Sequence, residues 1–299
     1  MDKNNQSFLR LIEDQLSDYF PESMDEGFGT YYERVMMHRF LRKLVWNHGI
    51  KTVLEGPSDG ISGIRGINSL PMVDEGCKLT YYTPSEKERK FVEKTWGIIE
   101  RSSAGKMSVE VRSGPLSKFP YGDNSFDLVW NFCVMEHLDN PLSVFREMTR
   151  VSRRYVLLAI QNAWNIGTFP HLIYHKVKGK PWDHGNVKRM SVAGIRALLR
   201  GIKIIEVKKS SLYVTEPRII EKGMFDIPVW PDTWDMRVAG LSTKASTPQT
   251  TPRSEGSLNG ILGKKTNALM GIASLIERGS MPKKIKLLWA HHVYALCEK

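Results

Sequence analysis

Between residues 161 and 185 the chain reads QNAWNIGTFPHLIYHKVKGKPWDHG, a connector-sized stretch holding His171, His175, His184, Trp164, Trp182, Tyr174 and Asp183. His171 and His175 stand four apart, the spacing that puts two side chains on one helix face. Such a pair could ligate a metal, but Leu172 occupies the place of the glutamate in an HExxH pair, and stable sites take three or four convergent ligands. No metal is therefore expected. A second stretch with chemical potential is Glu55-Gly56-Pro57-Ser58-Asp59-Gly60-Ile61-Ser62-Gly63. Glycines let a backbone approach a ligand closely, and a helix start just beyond offers unpaired N–H groups to a carboxylate or phosphate. The spacing departs from GxGxxG, because Pro57 and Asp59 stand among the glycines.

The elements that must position these residues follow from periodicity. SFLRLIEDQLSDYF (7–20) and TYYERVMMHRFLRKLVWNH (30–48) carry apolar residues at helical spacing, and Gly49 ends the second helix. KTVLE (51–55), KLTYYT (78–83), MSVEVRS (107–113), SFDLVWNF (125–132) and RYVLLAIQN (154–162) read as strands. Helices are expected at 84–96 with Pro84 at its start, at 141–150 and at 191–200. Strands alternating with helices at this spacing imply a parallel sheet covered on both faces. Ligands of such sheets bind beyond the carboxyl ends of the strands, where the strand order reverses. GIKIIEVKKSSLY (201–213) and HHVYALCEK (291–299) read as two further strands, with an insertion between them. Residues 241–258 include eleven Ser, Thr, Pro or Gly out of eighteen, which predicts a mobile loop.

Composition narrows the class. The 299 residues are 41% hydrophobic and 25% charged, which excludes a disordered or collagen-like chain. Cys77, Cys133 and Cys297 are too scattered for a disulfide framework or a structural zinc site, so a reducing compartment is expected. The first twenty residues lack the apolar run of a signal peptide, and no stretch approaches a bilayer span; a cytoplasmic location is expected. Net charge is +11 but uneven: residues 1–30 hold seven acids against two bases, and residues 151–210 hold twelve Lys and Arg against Asp183 and Glu206. A basic segment of that kind attracts phosphates, anionic membrane surfaces or nucleic acid.

The stretch Phe119-Pro120-Tyr121-Gly122-Asp123-Asn124-Ser125-Phe126-Asp127 leads through Trp130-Asn131-Phe132 to Glu136-His137-Leu138, then to a helix ending Glu147-Met148-Thr149-Arg150-Val151. In this order the residues resemble class I S-adenosylmethionine-dependent methyltransferases of the small-molecule, "type 11"-like kind. The resemblance covers roughly 50–213 and the last strand. It implies an α/β, Rossmann-like sheet of seven strands with helices on both faces, its last strand antiparallel and slotted between the fifth and sixth. The implied division is an N-terminal helical segment over 1–50, a methyltransferase-like domain over 51–213 and 286–299, and an insertion or cap over 214–285. Within that insertion FDIPVWP (225–231) is an apolar piece able to cover the substrate mouth.

The resemblance also implies S-adenosyl-L-methionine as cofactor, with Glu55 helping to fix its methionine portion. Gly56, Ser58, Gly60 and Gly63 fall in the loop beneath it, and Asn131 and Phe132 line the transfer site. Two positions depart from the family pattern: the acid that binds the ribose hydroxyls is replaced by Thr83, with Glu86 three residues on, and Pro115 stands near the adenine position. Methyl transfer needs a base only for a poor nucleophile, and His171, Asp183 and His184 are the candidates. The implied acceptor is a small molecule, a lipid or a sugar-linked metabolite. The departures at Thr83 and Pro115 keep a non-catalytic domain of the same fold as the competing reading. Nucleic acid is disfavoured, since Asn131-Phe132-Cys133-Val134 replaces the proline-rich motif of the family's nucleic-acid amino-methylating enzymes. An anionic membrane surface is a softer possibility, because Lys283, Lys284 and Lys286 adjoin Leu287, Leu288 and Trp289.

Overall fold

Seven strands form one sheet in the order β3-β2-β1-β4-β5-β7-β6, as seen in a computed structural model that describes residues 28–58, 66–103, 105, 107–182, 184–209, 218–224, 287–288 and 290–299. In chain order the elements are α1 (Phe28–His48), β1 (Thr52–Glu55), α2 (Leu70–Asp74), β2 (Lys78–Thr83), α3 (Glu86–Ser102), β3 (Val109–Ser113) and β4 (Phe126–Phe132). They continue with α4 (Pro141–Val151), β5 (Ser152–Gln161), α5 (Thr168–Val177), α6 (Val192–Lys209), β6 (Arg218–Met224) and β7 (His292–Glu298). Strands β1 to β5 pair in parallel. β7 runs antiparallel to both β5 and β6, so the last strand lies between the fifth and sixth, as the family resemblance implies.

Strand pleating sends successive residues to opposite faces, and a sheet covered on both sides buries both sets. Val53, Tyr81, Leu128, Trp130 and Leu157 join Leu41 and Leu44 of α1 and Val92 and Trp96 of α3 on one face. Leu54, Tyr82, Val129 and Leu158 join Phe145 and Met148 of α4 and Ile195 and Ile202 of α6 on the other. The N-terminal helix therefore shares the core of the sheet. Gly49 follows it at φ +61°, the left-handed conformation that a helix-ending glycine takes without strain. Ser85 caps α3 by accepting from Glu88 N (3.2 Å), and Asn140 caps α4 by accepting from Ser143 N (3.2 Å).

One expected element is corrected. Residues 201–213 do not form the penultimate strand: α6 continues through Lys209, and the strand is β6 at Arg218–Met224, inside the segment assigned to the insertion. The β-branched run Ile202-Lys203-Ile204-Ile205 suggested a strand, and Gly201 suggested a break. Ile195 and Ile202, seven apart and both 1% exposed, instead continue one helical stripe across that glycine. A Cβ at Gly201 would lie 3.0 Å from a Leu142 methyl carbon, so the glycine lets α6 approach α4 closely. The helix expected at 7–20, the loop at 241–258 and the apolar piece 225–231 lie outside the described residues. No helix among the described residues is long and apolar enough to cross a membrane.

Candidate active site

Strand order reverses at β1, whose carboxyl end exits between β2 and β4. Register puts the last residue of β1, Glu55, beside Tyr81 of β2 and Trp130 of β4. Its carboxylate is buried and accepts hydrogen bonds from Ser69 Oγ (2.6 Å), Asn68 Nδ2 (3.3 Å) and Ser58 Oγ (3.4 Å). Ser69 in turn accepts from Trp130 Nε1 (2.8 Å). Burial pushes the Glu55 carboxyl up to about 7, and the bonds from Ser69, Asn68 and Ser58 only partly oppose it. The carboxylate thus ties Ser58, Asn68 and Ser69 to the end of β1. Gly56 is needed for the exit itself, because a Cβ there would lie 2.9 Å from Tyr82 Cβ. Gly60 and Gly63 lie outside the described residues.

At the rim above β2, the two residues expected to contact the cofactor both have partners within the chain. Thr83 is fully buried; its Oγ1 accepts from Ser85 N (3.2 Å) and its carbonyl from Gly114 N (3.1 Å). Glu86 pairs with Arg89 (2.5 Å) and accepts from Ser113 Oγ (2.7 Å). The Arg89 guanidinium, then the Ser113 hydroxyl, draw its carboxyl down to about 2. Glu86 therefore straps the first turn of α3 to the end of β3. Pro115 offers its carbonyl to Tyr82 Oη (3.0 Å).

At the β4 exit, alternation separates two residues expected to act together. Phe132 stays half-buried at the rim with its ring 4.7 Å from that of His292. Asn131 points the other way, beneath α4, where its amide donates to Met148 Sδ (3.4 Å) and the residue is fully buried. Cys133 follows at φ +53°, an uncommon conformation for a residue with a Cβ and one that turns the chain sharply off the strand. Glu136, a residue whose part in the site the sequence did not show, is buried; its Oε1 accepts from Gln161 N (2.9 Å) and its carbonyl from Asn186 N (2.8 Å). Burial holds its carboxyl above the usual range. Glu136 thus joins the exits of β4 and β5 to the segment carrying His184.

The loop before β4 is held by α4. Arg150 donates to Phe119 O (3.1 Å) and Tyr121 O (2.9 Å), and pairs with Asp123 (2.8 Å) and Glu147 (2.7 Å). Glu147 also accepts from Phe119 N (2.9 Å). Burial favours the neutral acid at Glu147, yet the bonds from Arg150 and Phe119 outweigh it and hold the carboxyl below its usual range. The E-x-x-R pattern is thus a clamp that holds the loop before β4 against α4. Arg150→Ala is expected to cost about 2–3 kcal/mol in urea unfolding, the value of charge-assisted bonds lost with their partners half-buried. Arg150→Lys should recover only part of that, since a point ammonium cannot bridge four acceptors; full recovery would contradict the clamp.

Beyond β5, α5 and the turn after it bring the three histidines together. His171 Nε2 lies 2.9 Å from His175 Nε2 and 3.0 Å from His184 Nε2. Trp182 walls the group, its ring 4.8 Å from His184 and 5.4 Å from His175. His171 and His184, two of the candidate bases, therefore lie together with His175, their ring nitrogens facing one another. Asp183 lies outside the described residues.

This sheet order, with an antiparallel strand inserted between the fifth and sixth and a buried carboxylate at the switch point, is the architecture of class I methyltransferases. Residues 62–160 match the sequence profile of the family described as a methyltransferase domain. No curated protein matches the sequence significantly. Among solved structures, MccD protein superposes with a TM-score of 0.50 at 9% identity, over 87% of this chain and 96% of that one, which supports the fold. A putative sarcosine dimethylglycine methyltransferase from Galdieria sulphuraria aligns at 13% identity and TM-score 0.48, over 88% and 84% of the two chains. An S-adenosylmethionine-dependent methyltransferase from Archaeoglobus fulgidus aligns at 14% identity and TM-score 0.45, over 88% and 94%.

The donor set fits such a cofactor at its cationic end. Glu55 is a carboxylate whose burial outweighs its three hydrogen bonds, so a positive charge brought beside it is stabilised. At the end of β2 the hydroxyls of Thr83 and Ser85 are engaged with Ser85 N and Glu88 N.

Proposed function

We propose that this methyltransferase acts on a small molecule carrying an apolar chain, a lipid-like acceptor. The observation behind this reading is an exposed apolar strip along α5 and its approach. Phe169, Ile173 and Val177 lie four apart on one helix face, 70%, 47% and 76% exposed, next to Trp164 and Ile166. Ile166 N donates to Leu288 O (2.8 Å), which adds exposed Leu288 to the strip. Lys176, Lys178 and Lys180 flank it, a pairing of apolar face and basic rim suited to an amphiphile or an anionic membrane surface.

In this reading Glu55 and Ser58 hold the methionine portion, and Phe132 bounds the transfer side. When bound, the cofactor supplies an activated methyl group. The chain's own work is then to align the acceptor and exclude water. Glu136 serves that alignment by fixing the β4 exit to the histidine-bearing segment. Isothermal titration with S-adenosylhomocysteine tests the cofactor half, and absence of heat at ligand concentrations of about 1 mM, well above ordinary affinities, would overturn it. Transfer of radiolabelled methyl groups to a fatty acid or isoprenoid acceptor, against a water-soluble sugar control, tests the acceptor half. Labelling of the sugar alone would overturn the lipid-like assignment.

A further inference from the structure

We infer that His171, His175 and His184 form a metal-binding site for a divalent first-row transition ion, zinc being the representative. Their ligand atoms lie within 4.8 Å of one another. Three observations carry this. First, His171 Nε2 meets two other ring nitrogens, at 2.9 and 3.0 Å. A ring nitrogen has a single in-plane position, either one proton or one lone pair, and cannot serve two such contacts as hydrogen bonds. A cation among the three nitrogens satisfies all of them.

Second, His175 Nδ1 lies 2.7 Å from the carbonyl oxygen of Pro181. A carbonyl only accepts, so Nδ1 carries the proton and Nε2 presents its lone pair to the cluster. Donation from the second ring nitrogen to a backbone carbonyl is the arrangement that orients metal-bound imidazoles. Third, the site is built from an i, i+4 pair on α5 and a residue delivered by the following turn, with Trp182 closing one side. Nitrogens bound at about 2.0–2.1 Å in a tetrahedral site stand roughly 3.4 Å apart, so the two His171 pairs need to open by only about half an ångström, and the third pair already lies within 4.8 Å. Three protein ligands leave a fourth position, and imidazole suits zinc, nickel, copper and iron. His184 is next to Gly185, where a Cβ would lie 2.7 Å from Glu136 Cγ, so the site adjoins the β4 exit.

The test uses the full-length chain without an affinity tag, stripped with chelator and reloaded with zinc or cobalt(II). Elemental analysis should find about one ion per chain, with cobalt giving the intense visible bands of a four-coordinate site. His171→Asn and His184→Gln should each weaken zinc by at least ~100-fold in chelator competition, since losing even groups that merely orient ligands costs roughly 10–100-fold. Zinc should raise the melting temperature of the parent and leave that of His184→Gln unchanged. His48→Gln, at the opposite end of the sheet, is the control and should bind like the parent. Failure to retain a stoichiometric ion, or retention unchanged in both cluster variants, would overturn the site whatever the outcome of cofactor titration.

Discussion

Affinity for S-adenosylmethionine is expected to fall about tenfold for each pH unit below 7, and Glu55→Gln is expected to abolish that dependence. The cause is the Glu55 carboxyl, raised from 4.5 to about 7 by burial against the bonds from Ser69, Asn68 and Ser58. A cationic ligand favours the ionised form, so binding below pH 7 must first expel a proton. Titration at pH 6.5 in buffers of differing ionisation enthalpy should show that proton leaving. Above pH 8 the variant should bind roughly 10–100-fold more weakly, as loss of a charge-assisted contact requires.

The same group makes a linked prediction for stability. Its pKa is higher folded than unfolded, so its contribution is fully present below 4.5 and is lost as pH rises through about 7. The loss amounts to about 3 kcal/mol. Without ligand, Glu55→Gln should therefore gain on the parent in thermal melts between pH 5 and 8. A parent whose affinity is flat between pH 5 and 8 would contradict the placement of the cation beside Glu55. A Glu55→Gln variant whose stability tracks the parent at every pH would contradict the buried charge itself.

Trp130→Ala carries the largest expected structural effect. The indole is fully buried in the sheet core and donates to Ser69 Oγ at 2.8 Å. Truncation removes the packing, leaves a cavity and deprives a buried hydroxyl of its donor, together about 3–5 kcal/mol. Against a typical total of about 5–15 kcal/mol this places the variant near unfolding at growth temperature. Trp130→Phe keeps most of the ring and should cost about 1–3 kcal/mol, mainly because the buried Ser69 hydroxyl loses its donor while keeping only its bond to Glu55. Urea midpoints measure both. A cost under about 1 kcal/mol for the alanine variant would mean that this layer collapses without loss, contrary to the close packing of protein interiors.

What could be read without coordinates was local and periodic. KLTYYT was legible as a strand to the residue, because its β-branched and aromatic residues fit a pleated, buried surface. The helix at Pro141–Val151 was legible from its proline start and its apolar stripe. α5 was harder to see, since its apolar face (Phe169, Ile173, Val177) looks outward and the face turned inward is histidine. A signal for α2 existed in Ser69-Leu70-Pro71, a serine before a proline-bearing first turn. The E-x-x-R clamp was visible as a pattern, but its partners, the carbonyls of Phe119 and Tyr121, lie about thirty residues away.

The sequence alone determined the alternating α/β order, because that follows from periods of two and 3.6 residues and from turn chemistry, while the seven-stranded class came from the family resemblance of residues 119–151. Only the tertiary structure decided what each polar group does. Glu86 was claimed by Arg89 and Ser113, and Asn131 was turned under α4 by a one-residue alternation. Glu55 was raised by burial that no local pattern records. His184 was carried nine residues beyond His175 into contact with His171. Burial and convergence are properties of distance in space, and residue spacing encodes them only within a single helix or strand.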